Sequence, residues 1–434
     1  MQLNNKATVA SALAGAACAL LGTPAAQAEE GMLKDWQFDT AILYYGETDR
    51  VSLAEGVINA TKTNDDDSIF NVKLVLDTLT GASANGAVAQ PYAQTFSRPS
   101  GKDGYVVNAG ETPLDDTFRD TRVQVSGSWM QPFADTWRAT GAVNVSTEYD
   151  YLSLGLSGLL EKDLFMRNTT LSAGLSFQFD SIDPVGGTPD ALTSMLVPTY
   201  LGDDNDEGED EFEWDDDYEE GENKTGSESK TTTDLILGVT QVINRRMLMQ
   251  FNYGLSVVDG YMTDPYKLLS VVDNAGMTQD IIYEGRPDSR TKHSFFWQTK
   301  YALDNAVVDV SYRFATDDWD IDSHTIDSRF RFNLGDNDYI QPHLRYYQQS
   351  AAEFYRPFLN QADPLPMYAS ADYRVGEMTA YTLGLKYGHK MENGHEWAVR
   401  AEYYQQDPKN AGFDEPGVLA DLDLYPSVKA VILQ

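Results

Sequence analysis

The stretch MLMQFNYGLSV, residues 247–257, decides the fold because its side chains alternate in character from one position to the next. A helix, with its period of 3.6 residues, would mix apolar and polar side chains on every face, whereas a strand separates them. The pattern therefore predicts a β-strand with one apolar and one polar face. The apolar face contains Met247, Met249, Phe251, Tyr253, Leu255 and Val257, and the other face contains Gln250, Asn252, Gly254 and Ser256.

The same alternation recurs along the chain and predicts an all-β protein. The candidate strands are 36–47, 51–62, 68–78, 119–130, 135–147, 150–161, 165–180, 232–243, 246–258, 292–303, 306–316, 323–334, 338–349, 378–389, 395–406 and 427–434. Strands of a soluble sandwich have about 5–6 residues, whereas a membrane barrel needs about 9–11. The strand lengths therefore predict an antiparallel transmembrane β-barrel of about 16 strands, in keeping with the even strand number of bacterial barrels.

The connections between these strands differ systematically in length. The five longest all follow odd-numbered strands, and every connection after an even-numbered strand has five residues or fewer. Bacterial barrels combine short periplasmic turns with long extracellular loops. We therefore expect a chain that starts in the periplasm and places all of its long loops, including 181–231, outside the cell.

The N-terminus predicts export. A basic residue, Lys6, precedes the apolar stretch 7–21, and Ala26-Gln27-Ala28 has the small-residue pattern of a cleavage site. We expect a signal peptide over 1–28 and an outer-membrane barrel over 29–434. The only cysteine, Cys18, lies in the signal, so the exported chain would have neither disulfides nor thiol chemistry. Its location would be the bacterial outer membrane, with membrane lipid and lipopolysaccharide as partners.

The composition excludes a nucleic-acid partner and predicts membrane anchors. With 32 Lys and Arg against 67 Asp and Glu, the formal net charge is -35, which opposes binding to phosphate backbones. The 25 Tyr, 18 Phe and 7 Trp are too many for a disordered acidic chain. Aromatic residues close to predicted strand ends are expected in membrane-interface girdles: Tyr44, Tyr45, Trp129, Trp137, Tyr149, Tyr151, Trp319, Tyr346, Tyr347, Trp397, Tyr403 and Tyr404.

The loop 181–231 contains an acidic run between Asp203 and Glu222. The candidates for weak cation binding are Asp203, Asp204, Asp206, Glu207, Glu209 and Asp210. Carboxylate oxygens are the ligands that Ca²⁺ takes, so the run could hold loosely bound Ca²⁺. However, Trp214 stands where a twelve-residue calcium loop requires a bidentate Glu. No specific metal site is predicted, and a solvated loop without an ion is the alternative.

The polar faces of the strands supply candidates for the lining of the pore. These are Lys73, Arg122, Arg138, Lys300, Arg313, Arg329, Arg331, Arg345, Lys386 and Arg400, together with the acids Asp77, Asp309 and Glu402. Rings of charge set the selectivity of a pore, so a basic lumen would favour small anions. Alternatively, these residues pair with carboxylates on neighbouring strands and fill the barrel. The residues alone leave both readings open.

Enzymatic chemistry has little support in the sequence. The histidines His293, His324, His343, His389 and His395 show no zinc-binding spacing. Residues 317–324 contain four aspartates and His324, from which an acid–histidine pair could activate water. We expect no catalytic residues, no cofactor and no enzyme. An outer-membrane hydrolase centred on residues 317–324 is the alternative.

Several stretches together resemble an uncharacterised outer-membrane family, domain of unknown function 3570. They are AILYY (41–45) with Glu47 and Arg50, DTLTGASANGA (77–87), STEYDY (146–151), RNTTL (167–171), GYMTDPYK (260–267), EGRP (284–287), DDW (317–319), SHT (323–325) and RYYQQ (345–349). The resemblance implies an outer-membrane barrel and no established activity. It also suggests a small lipoprotein partner and a redox setting. One departure puts closure of the sixteenth strand in doubt, because such barrels usually finish on an aromatic residue and this sequence finishes on AVILQ (430–434).

The sequence therefore favours a porin-like pore or transport component for small solutes or ions. A non-conducting scaffold or receptor that holds a lipoprotein or redox partner is the first alternative. In that case the loop 79–118 could fold inward as a constriction or plug.

Overall fold

The computed structural model describes residues 35–48, 50–97, 104–195 and 224–434. Sixteen antiparallel strands form one closed barrel. They are β1 (Trp36–Glu47), β2 (Val51–Thr63), β3 (Ile69–Ala84), β4 (Leu114–Ala134), β5 (Trp137–Thr147), β6 (Tyr151–Leu164), β7 (Thr169–Ile182), β8 (Glu228–Asn244), β9 (Met247–Gly260), β10 (Ser289–Ala302), β11 (Ala306–Asp317), β12 (Asp322–Leu334), β13 (Asp338–Gln349), β14 (Met378–Lys390), β15 (Glu396–Pro408) and β16 (Val428–Leu433).

The predicted fold class and all sixteen strands are confirmed. The bounds differ most at the long loops, where β3 continues to Ala84 and β4 begins at Leu114. Among the described residues, no helix has both the length and the apolar character needed to cross a membrane.

The barrel closes through its shortest strand. β16 pairs with β15 from Gln406↔Val428 to Ala401↔Leu433, and with β1 from Tyr44↔Leu433 to Glu47↔Ala430. The doubt about closure of the sixteenth strand was therefore wrong. Closure leaves no edge strand exposed to lipid.

The register places apolar side chains on the outer face of the sheet and polar side chains on the inner face. Leu156 lies opposite Phe177, and both side chains are largely exposed on the outer surface. The adjacent Ser157 and Ser176 pair on the inner face. An apolar outer surface and a polar inner surface are the arrangement that a lipid-embedded barrel with an aqueous interior requires.

The girdle prediction was right for some aromatic residues and wrong for others. Tyr44, Trp129, Trp397 and Tyr403 are exposed on the outer face. Trp319 is buried against Phe354, with ring centroids 4.9 Å apart, so it belongs to the loops rather than to a membrane interface. Residues next to each other in a strand point to opposite faces. Tyr45, beside Tyr44, therefore points into the barrel, where its hydroxyl donates to Glu47.

All five long connections leave the same end of the barrel, as predicted. They span 85–113, 183–227, 261–288, 350–377 and 409–427. They contain the short strands Gln94–Ser97, Gly104–Val107, Thr188–Pro189, Lys224–Thr225, Leu268–Val272, Thr278–Tyr283 and Leu359–Asn360, and the 3₁₀ helices Tyr373–Val375 and Gly417–Asp421. We call the described parts of these five connections the cap.

The cap has three hydrophobic clusters of its own. Phe96, Leu269, Val272 and Leu419 come from three different connections, and each is fully buried. Strand Leu268–Val272 pairs with Thr278–Tyr283 on one side and with Leu359–Asn360 on the other. Connections that would separately be solvated loops are thus held together as one folded unit.

The cap extends across the outer mouth of the barrel. The connection after β3 contacts the connection after β9, since the Leu268 amide donates to the Asn85 carbonyl and the Val88 amide to the Ser270 hydroxyl. β3 and β10 lie almost opposite each other in a ring of sixteen strands. Contacts between loops from opposite walls require the chain to cross the mouth. The expected inward fold of loop 79–118 therefore takes the form of a cap that this loop builds together with other loops.

Candidate functional site

The inner wall of the barrel carries the predicted basic side chains. All ten pore-lining candidates occupy inward positions in the strand register. Three lie on β3 to β5, namely Lys73, Arg122 and Arg138. The other seven, Lys300, Arg313, Arg329, Arg331, Arg345, Lys386 and Arg400, lie on the six adjacent strands β10 to β15. The positive charge is therefore concentrated on one side of the lumen.

Half of these residues are paired with carboxylates. The ion pairs are Arg122–Asp77 at 2.8 Å, Arg138–Asp163 at 2.6 Å, Lys300–Asp309 at 3.4 Å, Arg329–Asp327 at 3.4 Å and Arg400–Glu402 at 3.8 Å. Such pairs neutralise charge and bridge neighbouring positions of the wall. For these five residues the arrangement agrees with the barrel-filling alternative.

The other half have no carboxylate within 4.0 Å among the described residues: Lys73, Arg313, Arg331, Arg345 and Lys386. The Arg331 guanidinium lies 3.6 Å from the centre of the Tyr339 ring, and that of Arg313 lies 5.5 Å from the Phe296 ring. Lys73, Arg313 and Arg345 are also exposed, although they point into the barrel. An exposed inward cation requires water around it, so this part of the lumen is hydrated.

His343 forms a cluster that the zinc-spacing criterion did not reveal. Its Nδ1 lies 2.8 Å from Glu402 Oε1, and its Nε2 lies 2.9 Å from Asp327 Oδ2. Ionised carboxylates only accept hydrogen bonds, so both ring nitrogens must carry hydrogen and the ring is cationic. The cluster joins three strands, β12, β13 and β15, across Gly384 of β14. A Cβ at Gly384 would lie only 2.7 Å from Glu402 atoms, so glycine makes the bridge possible.

An ionic network at the centre of the cap ties two loops together. Arg286 Nε lies 2.7 Å from Glu284 Oε1, and its Nη2 lies 2.7 Å from Asp372 Oδ2. Arg374 contacts Asp372 at 2.6 Å and Asp264 at 2.5 Å. Both Glu284 and Asp372 are almost completely buried. We call these five residues the cap lock, because they connect 261–288 to 350–377.

The two buried carboxyls of the cap lock differ in their protonation. Burial raises the pKa of Glu284 to about 7, an effect that Arg286 only partly offsets. Burial also opposes the charge of Asp372, but the neighbouring Arg374 dominates and holds the pKa of that carboxyl well below its usual range. Asp372 is therefore the permanent anion of the network, and Glu284 is its titratable member.

The cap is also anchored to the barrel wall. The Lys267 ammonium donates to the Ala84 carbonyl at the end of β3. The Gln349 side chain, at the end of β13, donates to the carbonyls of Arg374 and Gly376 at 3.0 and 2.7 Å. Arg290 of β10 pairs with Asp317, and its guanidinium lies 4.4 Å from the centre of the Trp319 ring. These contacts fix the cap to widely separated strands.

The hydrolase candidate in residues 317–324 is not assembled. His324 Nδ1 lies 2.8 Å from the Tyr312 hydroxyl, on the outer face. Asp317 accepts the amides of Trp319 and Ile321, and Asp318 accepts the amide of Thr291. In the described part of the chain, no hydrogen bond joins His324 to an aspartate of this segment. These side chains stabilise the turn between β11 and β12 and do not position a water molecule for nucleophilic attack.

Two predictions lie outside the described residues. The signal peptide falls within 1–34, and the weak cation candidates Asp203 to Asp210 fall within 196–223. Both therefore stay predictions. Within the described ranges, no group of three or more His, Cys, Asp or Glu side chains is arranged to hold a metal ion.

These observations define the class of protein. It is a β-barrel with the apolar outer face and polar inner face of a transmembrane barrel, and a folded cap covers its outer mouth. The chain belongs to the family of proteins of unknown function DUF3570, whose profile matches residues 10–434, which confirms the resemblance drawn from the nine stretches. GYMTDPYK and EGRP, two of those stretches, supply Asp264, Glu284 and Arg286 to the cap lock.

Comparison with other proteins adds little beyond the family. No curated protein sequence matches the chain. Solved structures with a similar arrangement include the siderophore receptor PirA from Acinetobacter baumannii, at 10% identity and a TM-score of 0.41. They also include the ferric enterobactin receptor PfeA from Pseudomonas aeruginosa, at 8% and 0.40, and a P. aeruginosa FadL homologue, at 12% and 0.37.

Coverage differs between these structures. The matched regions cover 86% of this chain and 53% of PirA, and 92% of this chain and 59% of PfeA. This chain therefore spans little more than half the length of those receptors. For the FadL homologue the coverage is 89% of each chain.

Proposed function

We propose that this protein is a transport barrel of the bacterial outer membrane that passes small solutes or ions and favours anions. The observation that carries the proposal is the set of exposed, unpaired cations on the inner wall, above all Arg313 and Arg345. In a protein of net charge -35, positive charge free of carboxylates is unusual, and it lies where a solute would pass.

The size of the barrel is compatible with a water-filled path. Sixteen strands spaced about 4.8 Å apart and tilted by about 40° give a backbone radius of about 16 Å. Side chains reach roughly 6–7 Å inward, so the wall residues alone would leave a central passage, as in porins of this strand number. The cap restricts that passage at the outer end. Passage through the barrel therefore depends on gaps in the cap or on its opening.

The outer membrane is the location that the surface supports. The outward faces of β5 to β7 carry Val143, Leu156, Leu175 and Phe177, all exposed. An apolar surface of this extent has no stable place in water and matches lipid. Membrane lipid and lipopolysaccharide are thus proposed as its surroundings, and Ca²⁺ held by the acidic run would bridge it to anionic headgroups.

Conductance in planar lipid bilayers tests the proposal. Full-length protein should give steady, stepwise currents in potassium chloride, and added Ca²⁺ should change them if the acidic run lies near the mouth. A correctly folded barrel that never conducts, with or without Ca²⁺, would contradict transport by an open path.

The cap supports a second candidate, a non-conducting scaffold or receptor. Its buried core and cap lock make it a folded unit rather than a set of mobile loops, and a folded outer surface can bind a partner such as a small lipoprotein. A sealed barrel in bilayers, together with a lipoprotein that co-purifies with intact protein and is lost when the cap is loosened, would favour this role over transport.

A further inference from the structure

A groove crosses the lipid-facing surface of the barrel from β7 to β11, with a volume of about 540 Å³. Cross-strand pairing places the side chains that border it in two parallel rows. The row nearer the periplasmic end consists of Leu171, Val239, Phe251, Trp297 and Tyr312. The row nearer the outer end includes Leu237, Tyr253 and Phe295. Leu171, Phe251 and Phe295 are exposed and point outward, so the groove opens to the membrane and not to the lumen.

The groove runs obliquely through the membrane. Leu171 is two residues from the periplasmic end of β7, Phe251 is four residues from that end of β9, and Tyr312 is six residues from that end of β11. The row therefore rises by about 7 Å along the strands with every second strand. Five strands about 4.8 Å apart make the groove about 19 Å long, and the two rows that border it are about 7 Å apart. These dimensions describe a slot for one extended hydrocarbon chain.

Two tyrosine–histidine pairs lie beside the outer part of the groove. The Tyr312 hydroxyl lies 2.8 Å from His324 Nδ1, and the Tyr253 hydroxyl lies 2.9 Å from His293 Nδ1. His324 is exposed and only two residues from the outer end of β12. With the tyrosine hydroxyl as the donor, Nε2 of each ring carries the hydrogen. Neither Nε2 has a hydrogen-bond partner among the described residues, so both N–H groups are available to a molecule at the outer membrane interface.

The surroundings of the groove determine what can occupy it. The groove is continuous with the apolar surface that faces lipid, so its occupant is a membrane molecule. Its borders are apolar at the periplasmic end, where Leu171, Leu237 and Val239 lie, and the histidine donors lie near its outer end. A lipid of the inner leaflet, or the acyl anchor of a lipoprotein, would place its polar headgroup at the apolar end. The polarity of the groove therefore fits a lipid of the outer leaflet.

We infer that this groove binds an acyl chain of a phosphorylated glycolipid of the outer leaflet, whose headgroup accepts hydrogen bonds from His293 and His324. The two histidines are two strands and two residues apart, which places them about 12 Å from each other at the backbone. One phosphate is too small to contact both rings, whereas phosphates at the two ends of a sugar frame, as in lipopolysaccharide, are far enough apart. The inference rests on the location in the outer membrane and not on transport.

Native mass spectrometry of the full-length protein in detergent, titrated with bisphosphorylated lipid A, tests the site. One lipid should bind per barrel at concentrations where a second does not. Val239→Trp fills the groove with an apolar side chain that a lipid-facing position accepts, and it should weaken binding about tenfold or more, because the acyl chain loses buried surface. The matched control is Leu156→Trp, which adds the same side chain to the lipid-facing surface of β6, outside the groove. It should leave binding unchanged.

The headgroup is tested by the double substitution His293→Phe and His324→Phe, which keeps an aromatic ring at both positions and removes both donors. Lipid A should then bind about tenfold more weakly, as loss of hydrogen bonds to charged phosphates requires. Phosphatidylglycerol, which carries a single phosphate, should bind the native protein more weakly than lipid A and should be less affected by the substitutions. Circular dichroism confirms that each variant is folded.

Weakening by Val239→Trp and by the histidine substitutions, but not by Leu156→Trp, supports the site. Absence of a one-to-one lipid complex in the native protein overturns it. Equal weakening by Val239→Trp and Leu156→Trp also overturns it, because the lipid would then cover the barrel surface without preference. Equal binding of both lipids that the histidine substitutions do not change overturns the assignment of a glycolipid. A protein dimer that Val239→Trp dissociates, in place of a lipid complex, would show that a second copy occupies the groove. The assay measures no ion flow, so its result is independent of conductance.

Discussion

Arg286→Met is expected to loosen the cap while leaving the barrel intact. Arg286 is nine-tenths buried and contacts both Glu284 and Asp372, whose side chains are fully buried. Removing one partner from a buried ion pair typically costs 3–5 kcal/mol, because the remaining charge is left without compensation. Asp372 keeps its contact with Arg374 at 2.6 Å, so most of the loss arises at Glu284.

The expected magnitude depends on pH, because Glu284 can escape the penalty by taking up a proton. Burial raises its pKa to about 7, so a large fraction of the carboxyl is protonated near that pH. The loss of cap stability caused by Arg286→Met therefore increases as the pH rises above 7. At mildly alkaline pH we expect a local destabilisation of about 3 kcal/mol, which corresponds to roughly a hundredfold more frequent opening of the cap.

Hydrogen–deuterium exchange measured by mass spectrometry checks this expectation. Peptides from 261–288 and 350–377 should exchange about a hundredfold faster, in proportion to the opening equilibrium. They include the Gly285 amide, which donates to the Ala369 carbonyl at 2.9 Å. Peptides from β5 to β7 should not change. Adding Glu284→Gln to the variant should restore part of the protection, because it removes the unpaired charge.

Arg246→Met is the matched control. Arg246 also pairs with an aspartate at 2.6 Å, but both side chains are exposed at a turn on the opposite end of the barrel. Exposed pairs contribute about 0–1 kcal/mol, so this variant should exchange like the native protein. Unchanged protection in Arg286→Met, or faster exchange throughout the barrel, would refute the idea that the cap is a separate unit held by its lock.

Three further predictions concern the cap and the wall. Burial raises the pKa of Glu284 from an ordinary 4.5 to about 7, so its contribution to cap stability is complete below about pH 4.5 and falls by about 3 kcal/mol as the pH rises to 7. Amide hydrogen exchange in the cap, measured as a function of pH and corrected for the intrinsic exchange rates of unprotected amides, should show that decline in the native protein. The Glu284→Gln variant should show no such decline. Phe96→Ala, at a fully buried position, should destabilise the cap by about 3–5 kcal/mol in the same assay, and an unaltered exchange rate would mean that Phe96 is not part of a packed core. Leu156→Arg should cost about 2–4 kcal/mol in denaturant titrations of the lipid-reconstituted protein, whereas Ser157→Arg, one residue on, should cost much less, since only the first side chain faces lipid.

The strands were predictable because the sequence pattern that determines each strand lies within that strand. Alternation over ten or more residues separates a lipid face from a lumen face without knowledge of the partner strand, so the segment 247–257 alone indicates its own fold. The inward position of the ten basic residues followed from the same rule. Strand ends near the loops were less predictable, since β3 and β4 extend beyond the membrane into the cap, where no lipid imposes alternation.

The cap was not predictable because its order depends on contacts between distant loops. Phe96, Leu269 and Leu419 follow no period in sequence, and only the closed barrel brings their connections together. The cluster around His343 was not predicted for a similar reason. Its partners, Asp327 and Glu402, belong to strands on either side of it, and Glu402 reaches the ring only across Gly384. Register across several strands, rather than spacing along the chain, determines such a cluster.

The zero-current potential across a bilayer with unequal potassium chloride concentrations tests the central claim most directly. The basic wall of β10 to β15 predicts that chloride carries most of the current, so the potential should lie towards the chloride equilibrium value despite the net charge of -35. The double substitution Arg313→Gln and Arg345→Gln should move it towards zero. A potential on the potassium side in the native protein, unaffected by these substitutions, would contradict a lumen whose arginines select the solute.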